Sequence, residues 1–140
     1  MTRIDFYRYA EDKLQFACRL AARAWGAKSR VIVWSPDPEK LSAFDRMLWT
    51  YESVKFVPHC RVGDALAPDT PILLTGATEG LPHHDVLMNL GDAWPPFFAT
   101  FDRLLEIVTS DERDKQLARD RYAFYTERGY DIRVNAIGDA

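Results

Sequence analysis

Apolar positions along the chain switch repeatedly between strand-like and helix-like spacing. Ile4 to Tyr7 reads as a short aromatic strand, and Asp12 to Trp25 as a helix. In that helix Leu14, Ala17, Cys18, Ala21 and Trp25 recur at three- and four-residue steps and are expected to share one buried face. Gly26 stands where a left-handed residue would close the helix. Val31-Ile32-Val33-Trp34 is a continuous apolar run, as in a strand covered on both faces. After the turn Ser35-Pro36, Asp37 is placed to cap a second helix with Pro38 in its first position, and Leu41, Phe44 and Leu48 form its apolar stripe to about Trp49.

The middle of the chain is richer in loops. Lys55 to His59 reads as a short extended piece broken by Pro58, and Pro71 to Thr75 and Val86 to Leu90 as buried strands. Loops are expected at Gly76 to Pro82 and at Gly91 to Pro96. Phe101 to Val108 fits either period, and the alternation at Leu105 and Ile107 favours a strand. A helix from about Asp111 to Glu127, ended by Gly129, and a terminal strand from Asp131 to Asn135 complete the pattern. Strands alternating with helices predict an α/β fold: a single domain over residues 1–140, an open, mostly parallel twisted sheet with helices on both faces.

A chain of 140 residues with 47% apolar and 28% charged positions has the composition of a folded domain. Its net charge of −3 argues against a general nucleic-acid binder. Cys18 and Cys60 lack the spacing of a zinc site or a disulfide framework, so neither a metal nor a bridge is expected, and Cys18 reads as core filling. No secretory leader or membrane-length apolar run is read in the chain, so the cytoplasm is the expected compartment.

Such a sheet invites a nucleotide, but the chain has neither G-x-x-x-x-G-K-[ST] nor G-x-G-x-x-G after its first strand. The turn there, Arg8-Tyr9-Ala10-Glu11-Asp12, offers two acids where phosphates would lie. Gly76-Ala77-Thr78-Glu79-Gly80 reads as an ordinary loop, and His83-His84-Asp85 as an exposed pair rather than a metal site. No catalytic constellation and no cofactor are expected. A small nucleotide-binding or phosphotransfer enzyme remains the main alternative, and a direct single-stranded DNA binder a third reading.

The last helix carries the most informative pattern. Lys115, Arg119 and Tyr122 fall at i, i+4 and i+7 on one face, flanked by Arg113 and Arg121, while Leu117, Phe124 and Tyr125 are expected to anchor the other side. Lys and Arg on a helix are commonly just a solvated face. A basic ridge with an aromatic on an acidic protein nevertheless suits an acidic peptide with an apolar end. The aromatics of Trp49-Thr50-Tyr51 and Phe56-Val57-Pro58-His59 read from spacing as core plugs or interface anchors.

Phe6-Tyr7, Leu48-Trp49, Phe56-Val57-Pro58-His59 and Lys115-Gln116-Leu117-Ala118-Arg119-Asp120-Arg121-Tyr122, followed by Tyr125 and Gly129, occur in order and at the spacing of a known family. Over nearly its full length the sequence resembles the chi subunits of bacterial DNA polymerase III. The resemblance implies a non-catalytic adaptor in the clamp-loader assembly. Its partners would be the psi subunit, as a heterodimer, and the acidic tail of single-stranded DNA-binding protein, with nucleic acid met only indirectly. By position the tail site would be Val108, Lys115, Arg119 and Tyr122, and the psi-facing surface Trp49, Phe56, Val57 and Pro58. One departure is Ala123, at a position commonly basic in this family, for which Arg121 or Arg113 could substitute.

Overall fold

A computed structural model of the chain describes residues 1–51 and 57–136. In chain order its elements are β1 (Arg3–Ala10), α1 (Lys13–Gly26), β2 (Val31–Trp34), α2 (Pro38–Thr50), β3 (His59–Arg61), β4 (Ile72–Thr75), β5 (Val86–Asn89), β6 (Arg103–Thr109), α3 (Glu112–Glu127) and β7 (Asp131–Ala136). Short 3-10 turns lie at Ala67–Asp69 and Phe98–Thr100.

The described strands form one sheet in the order β3-β4-β2-β5-β6-β1-β7, and every pairing in it is parallel. The chain first steps one way along the sheet, from β1 to β2 to β3, and then returns through β4, β5 and β6 to β7. Right-handed crossovers put outbound connections on one face and returning ones on the other. Accordingly, Ala17 and Ala21 of α1 and Phe44 and Leu48 of α2 pack with Val31, Val33, Leu74 and Leu105. On the opposite face Ala118 and Tyr125 of α3 pack with Ile4, Phe6, Ile32, Leu104 and Val108. The expected open α/β sheet with helices on both faces is therefore present.

Each helix begins with its own acidic cap. Asp12 accepts from the Gln15 N–H, Asp37 from that of Glu39 and Asp111 from that of Asp114, each at 3.0 Å. The FDRLLEIV segment becomes β6, buried on both faces from Leu104 to Val108.

Several boundaries differ from the sequence reading. β1 runs on to Ala10, so the following turn is only Glu11-Asp12. Of the expected α1 face Ala17, Cys18 and Ala21 are buried, joined by Phe16 and Leu20, whereas Trp25, in the last turn, is 39% exposed. Gly26 stays helical, and Lys28 takes the left-handed conformation at φ 60°. The Ser29 N–H then reaches the Ala24 carbonyl at 2.8 Å, closing the helix two residues later than glycine alone suggests. Of the extended piece expected at 55–59, Lys55 and Phe56 lie outside the described residues, and β3 starts beyond Pro58.

Candidate functional site

The position of α3 is set by a buried polar cluster. Glu106 points from β6 toward the helix, where its carboxyl group accepts from Arg121 Nε at 3.1 Å, the Tyr125 hydroxyl at 2.6 Å and Asn89 Nδ2 at 3.1 Å. Arg121 Nη1 also donates to the Asp92 carbonyl at 2.7 Å, tying the loop after β5 to the helix. Burial, reinforced by the Glu106 charge, drives the Tyr125 phenol far above its ordinary range, so it remains a donor. The face of α3 that meets the sheet is thus Ala118, Arg121 and Tyr125. This corrects two expectations. Arg121 is not on the basic ridge, because Glu106 draws it inside. Leu117 is only half-buried and lines a separate crevice, whereas half-buried Phe124 does anchor the helix, packing against the core of this face and stacking on Trp94 with ring centroids 3.7 Å apart.

With that face committed inward, the neighbouring face of α3 overhangs β1. A cavity of ≈ 210 Å³ opens there, lined by Phe6, Arg8, Tyr9, Val108, Lys115, Ala118, Arg119, Tyr122 and Val134. Val108, Lys115, Arg119 and Tyr122, assigned from sequence to one site, therefore line one cavity. The register explains the other walls. Phe6 lies between Glu106 of β6 and Val134 of β7, and Arg8 lies beside Val108, so alternate residues of three strands project beneath α3. Phe6, Val108 and Ala118 are buried and make an apolar floor, with the Tyr122 ring edge-on to Phe6 at 5.6 Å.

Positive charge rims this floor. Arg119 is exposed, and Nη1 touches only the neighbouring Gln116 side chain, at 3.4 Å. Lys115 Nζ sits 4.8 Å from the centre of the Tyr9 ring and 3.5 Å from the exposed Glu112 carboxylate. An apolar slot edged by cations matches a peptide end that combines an apolar side chain with carboxylates. Sequence reasoning missed Phe6, Arg8, Tyr9 and Val134 as lining residues. Their signal lies in the sheet order, which puts β1 under α3.

Arg113 does not border this cavity. It lies 4.0 Å from Asp92, beside a separate crevice that Lys13, Lys40 and Asp114 also line. That crevice, at the carboxyl ends of the strands, is where open α/β sheets usually take nucleotides. Here Lys13 is bound to Asp114 at 2.9 Å, and the helix N-termini are closed by Asp12, Asp37 and Asp111. Burial alone would raise Asp114, but the Thr109 backbone N–H and Lys13 hold it below the usual carboxylate range. Negative charge therefore occupies the positions a phosphate would need.

The second predicted surface lies at the far edge of the sheet, by β3. Trp49 is 57% exposed, and its ring lies 4.8 Å from that of His59. Pro58 is half-buried beside it, Val57 is only 2% exposed and belongs to the core, and Phe56 lies outside the described residues. Val57 thus packs into the core between the helices and the sheet instead of presenting itself. The histidine pair differs from expectation at His83 alone, since His84 is exposed as expected. His83 is buried and its Nδ1 accepts from the Asp85 N–H, while His84 faces Thr100. Among the described residues no three His, Cys, Asp or Glu side chains converge on a metal position. No helix among them is long and apolar enough to cross a membrane.

The chain is similar to known proteins over most of its length. The family model described as DNA polymerase III chi subunit, HolC, matches residues 1–133. The DNA polymerase III subunit chi of Pseudomonas aeruginosa is 34% identical over 136 residues, covering 94% of each chain. That of Haemophilus influenzae is 29% identical, covering 89% of this chain and 87% of its own. The Escherichia coli protein of that name is 27% identical, covering 84% and 81%.

Proposed function

Since the chain belongs to the DNA polymerase III chi subunit family, we propose that this replication accessory subunit is a non-catalytic cytoplasmic adaptor. It links the psi subunit of the clamp loader to the acidic carboxy-terminal tail of single-stranded DNA-binding protein. The tail occupies the cavity beneath α3. Its last, apolar side chain rests on Phe6, Val108 and Ala118 against Tyr122. Arg119 takes the terminal carboxylate through paired hydrogen bonds, and Lys115 meets acids further upstream. Psi docks at Trp49, Phe56 and Pro58, over Val57.

The observation that carries this reading is the single cavity lined by Val108, Lys115, Arg119 and Tyr122, apolar below and cationic at its rim. The sheet order supports the bridging role, because β3 and β7 are opposite edges and two partners held there do not collide. Titration of a labelled acidic peptide ending in phenylalanine tests it. Arg119→Ala is expected to lose about 1.5–3 kcal/mol of binding free energy, the scale of charged hydrogen bonds. Failure of the wild-type protein to bind any such peptide would discard the tail assignment. For psi, full co-purification with a Phe56→Ala chain would remove that residue from the interface.

A further inference from the structure

Several cationic side chains among the described residues are already neutralised. Lys13 pairs with Asp114 at 2.9 Å, Arg30 with Asp85 at 2.8 Å, Arg103 with Asp5 at 2.7 Å and Arg121 with Glu106 at 3.1 Å. Arg8 and Arg119, which line the same cavity, take part in no ion pair among the described residues. The guanidinium of Arg8 instead leans over the Tyr9 ring, 5.6 Å from its centroid.

The backbone accounts for this placement. Arg8 pairs with Val108 on β6, which puts its side chain on the α3 face, two residues beyond the floor residue Phe6. The register then slips between Arg8 and Ala10, so an extra residue is accommodated. Such a bulge re-aims a side chain that strict alternation would send to the other face. Tyr9, odd in the alternation, consequently lines the same cavity as Arg8 and lies under the Lys115 ammonium. The β1 wall thus opposes the α3 wall with a cation of its own.

We propose that Arg8 is a second anion-holding residue of this cavity, which contacts an acidic side chain upstream of the peptide's end while Arg119 holds the terminal carboxylate. The inference rests on the tail-binding reading above. A peptide whose last side chain lies on the floor and whose terminus is fixed on the α3 wall leaves across the β1 wall, past Arg8 and the Tyr9–Lys115 pair. Arg8 therefore makes the site selective for acidic sequence, beyond recognition of a free apolar carboxy terminus. It also supplies, from a different element, the charge that Ala123 lacks.

The test uses fluorescence anisotropy with the full chain and three labelled peptides: an acidic peptide ending in phenylalanine, the same with its upstream Asp replaced by Asn, and the acidic one amidated at its end. Arg8→Ala is expected to weaken the first peptide about three- to fivefold, the upper range for an exposed ion pair, and to leave the Asn peptide at its wild-type affinity. Arg119→Ala is expected to abolish the difference between free and amidated ends. Thermal melting of both variants at the wild-type temperature confirms that the fold is intact. If Arg8→Ala binds all three peptides like wild type, or weakens acidic and Asn peptides equally, the role given to Arg8 is overturned while the Arg119 result leaves the tail reading standing. If wild type binds none of the three, both readings fall together.

Discussion

Arg121 Nε lies 3.1 Å from Glu106 Oε1, and the two side chains are 1% and 0% exposed. This buried pair, together with Ala118 and Tyr125 packed against the sheet, sets the rotation of α3, and so decides which of its residues face the cavity. Removing one partner of such a pair leaves an uncompensated buried charge. Arg121→Ala is expected to lose about 3–5 kcal/mol of stability in urea unfolding. A double replacement of Glu106 and Arg121 by apolar residues of similar volume should recover only part of it, because the buried Tyr125 hydroxyl and the Asn89 amide lose their shared acceptor. An unchanged urea midpoint for Arg121→Ala would mean that α3 is held by other contacts.

Arg119, two positions away on the same helix, predicts the opposite phenotype. Its side chain is exposed and, among the described residues, hydrogen-bonds only to Gln116. Arg119→Ala should therefore leave stability within about 0.5 kcal/mol of wild type, as for ordinary surface positions. Parallel melting and peptide titration separate the two arginines. Loss of fold in the Arg119 variant would contradict the surface placement.

His83 gives the protein a pH-dependent component of stability. Burial first, and then the Arg30 charge, lower its pKa below the ordinary 6.5. The unfolded chain thus takes up a proton at this site at higher pH than the folded one. Stability is therefore expected to rise with pH up to about 6.5 and to fall as pH drops below it. Replacing His83 by Asn, which keeps an acceptor for the Asp85 N–H, should flatten the melting temperature between pH 7 and pH 5 relative to wild type.

The two cysteines should differ sharply in reactivity. Cys18 is fully buried, and burial, with the nearby Asp12 charge, pushes its thiol up to about 12, whereas Cys60 is part-exposed. Alkylation of the native protein should add one label, at Cys60, with Cys18 labelled only after denaturation. Mass spectrometry of digested native protein reads this directly, and native labelling of Cys18 would show that the α1 face opens.

The features legible in the sequence are local ones. Apolar spacing announces β2, β4 and α2, and Asp37-Pro38 announces where α2 begins, because caps and periodicity act within a few residues. Arg121 could not be placed that way, since its partner lies on another element. A signal was nonetheless present: Glu106 interrupts the apolar run Leu104-Leu105-Glu106-Ile107-Val108, and a carboxyl group inside a doubly covered strand requires a partner. That Lys115, Arg119 and Tyr122 of α3 face one cavity was legible from their helical spacing. Arg8 and Tyr9 were not, because only the strand order and the register slip bring the start of the chain under its last helix.

That order also has a consequence for synthesis. β1 is flanked by β6 and β7, with Arg3 opposite Arg103 on one side and Asp131 on the other. A nascent polypeptide leaving the ribosome therefore exposes both edges of its first strand until Arg103 and its successors have emerged. Such distant pairings form late and slowly. The cavity beneath α3, lined by Arg8 and Tyr9 of β1 and by Val134 of β7, exists only once β7 has closed beside β1. Chains released before β7 has formed consequently lack one wall of this cavity.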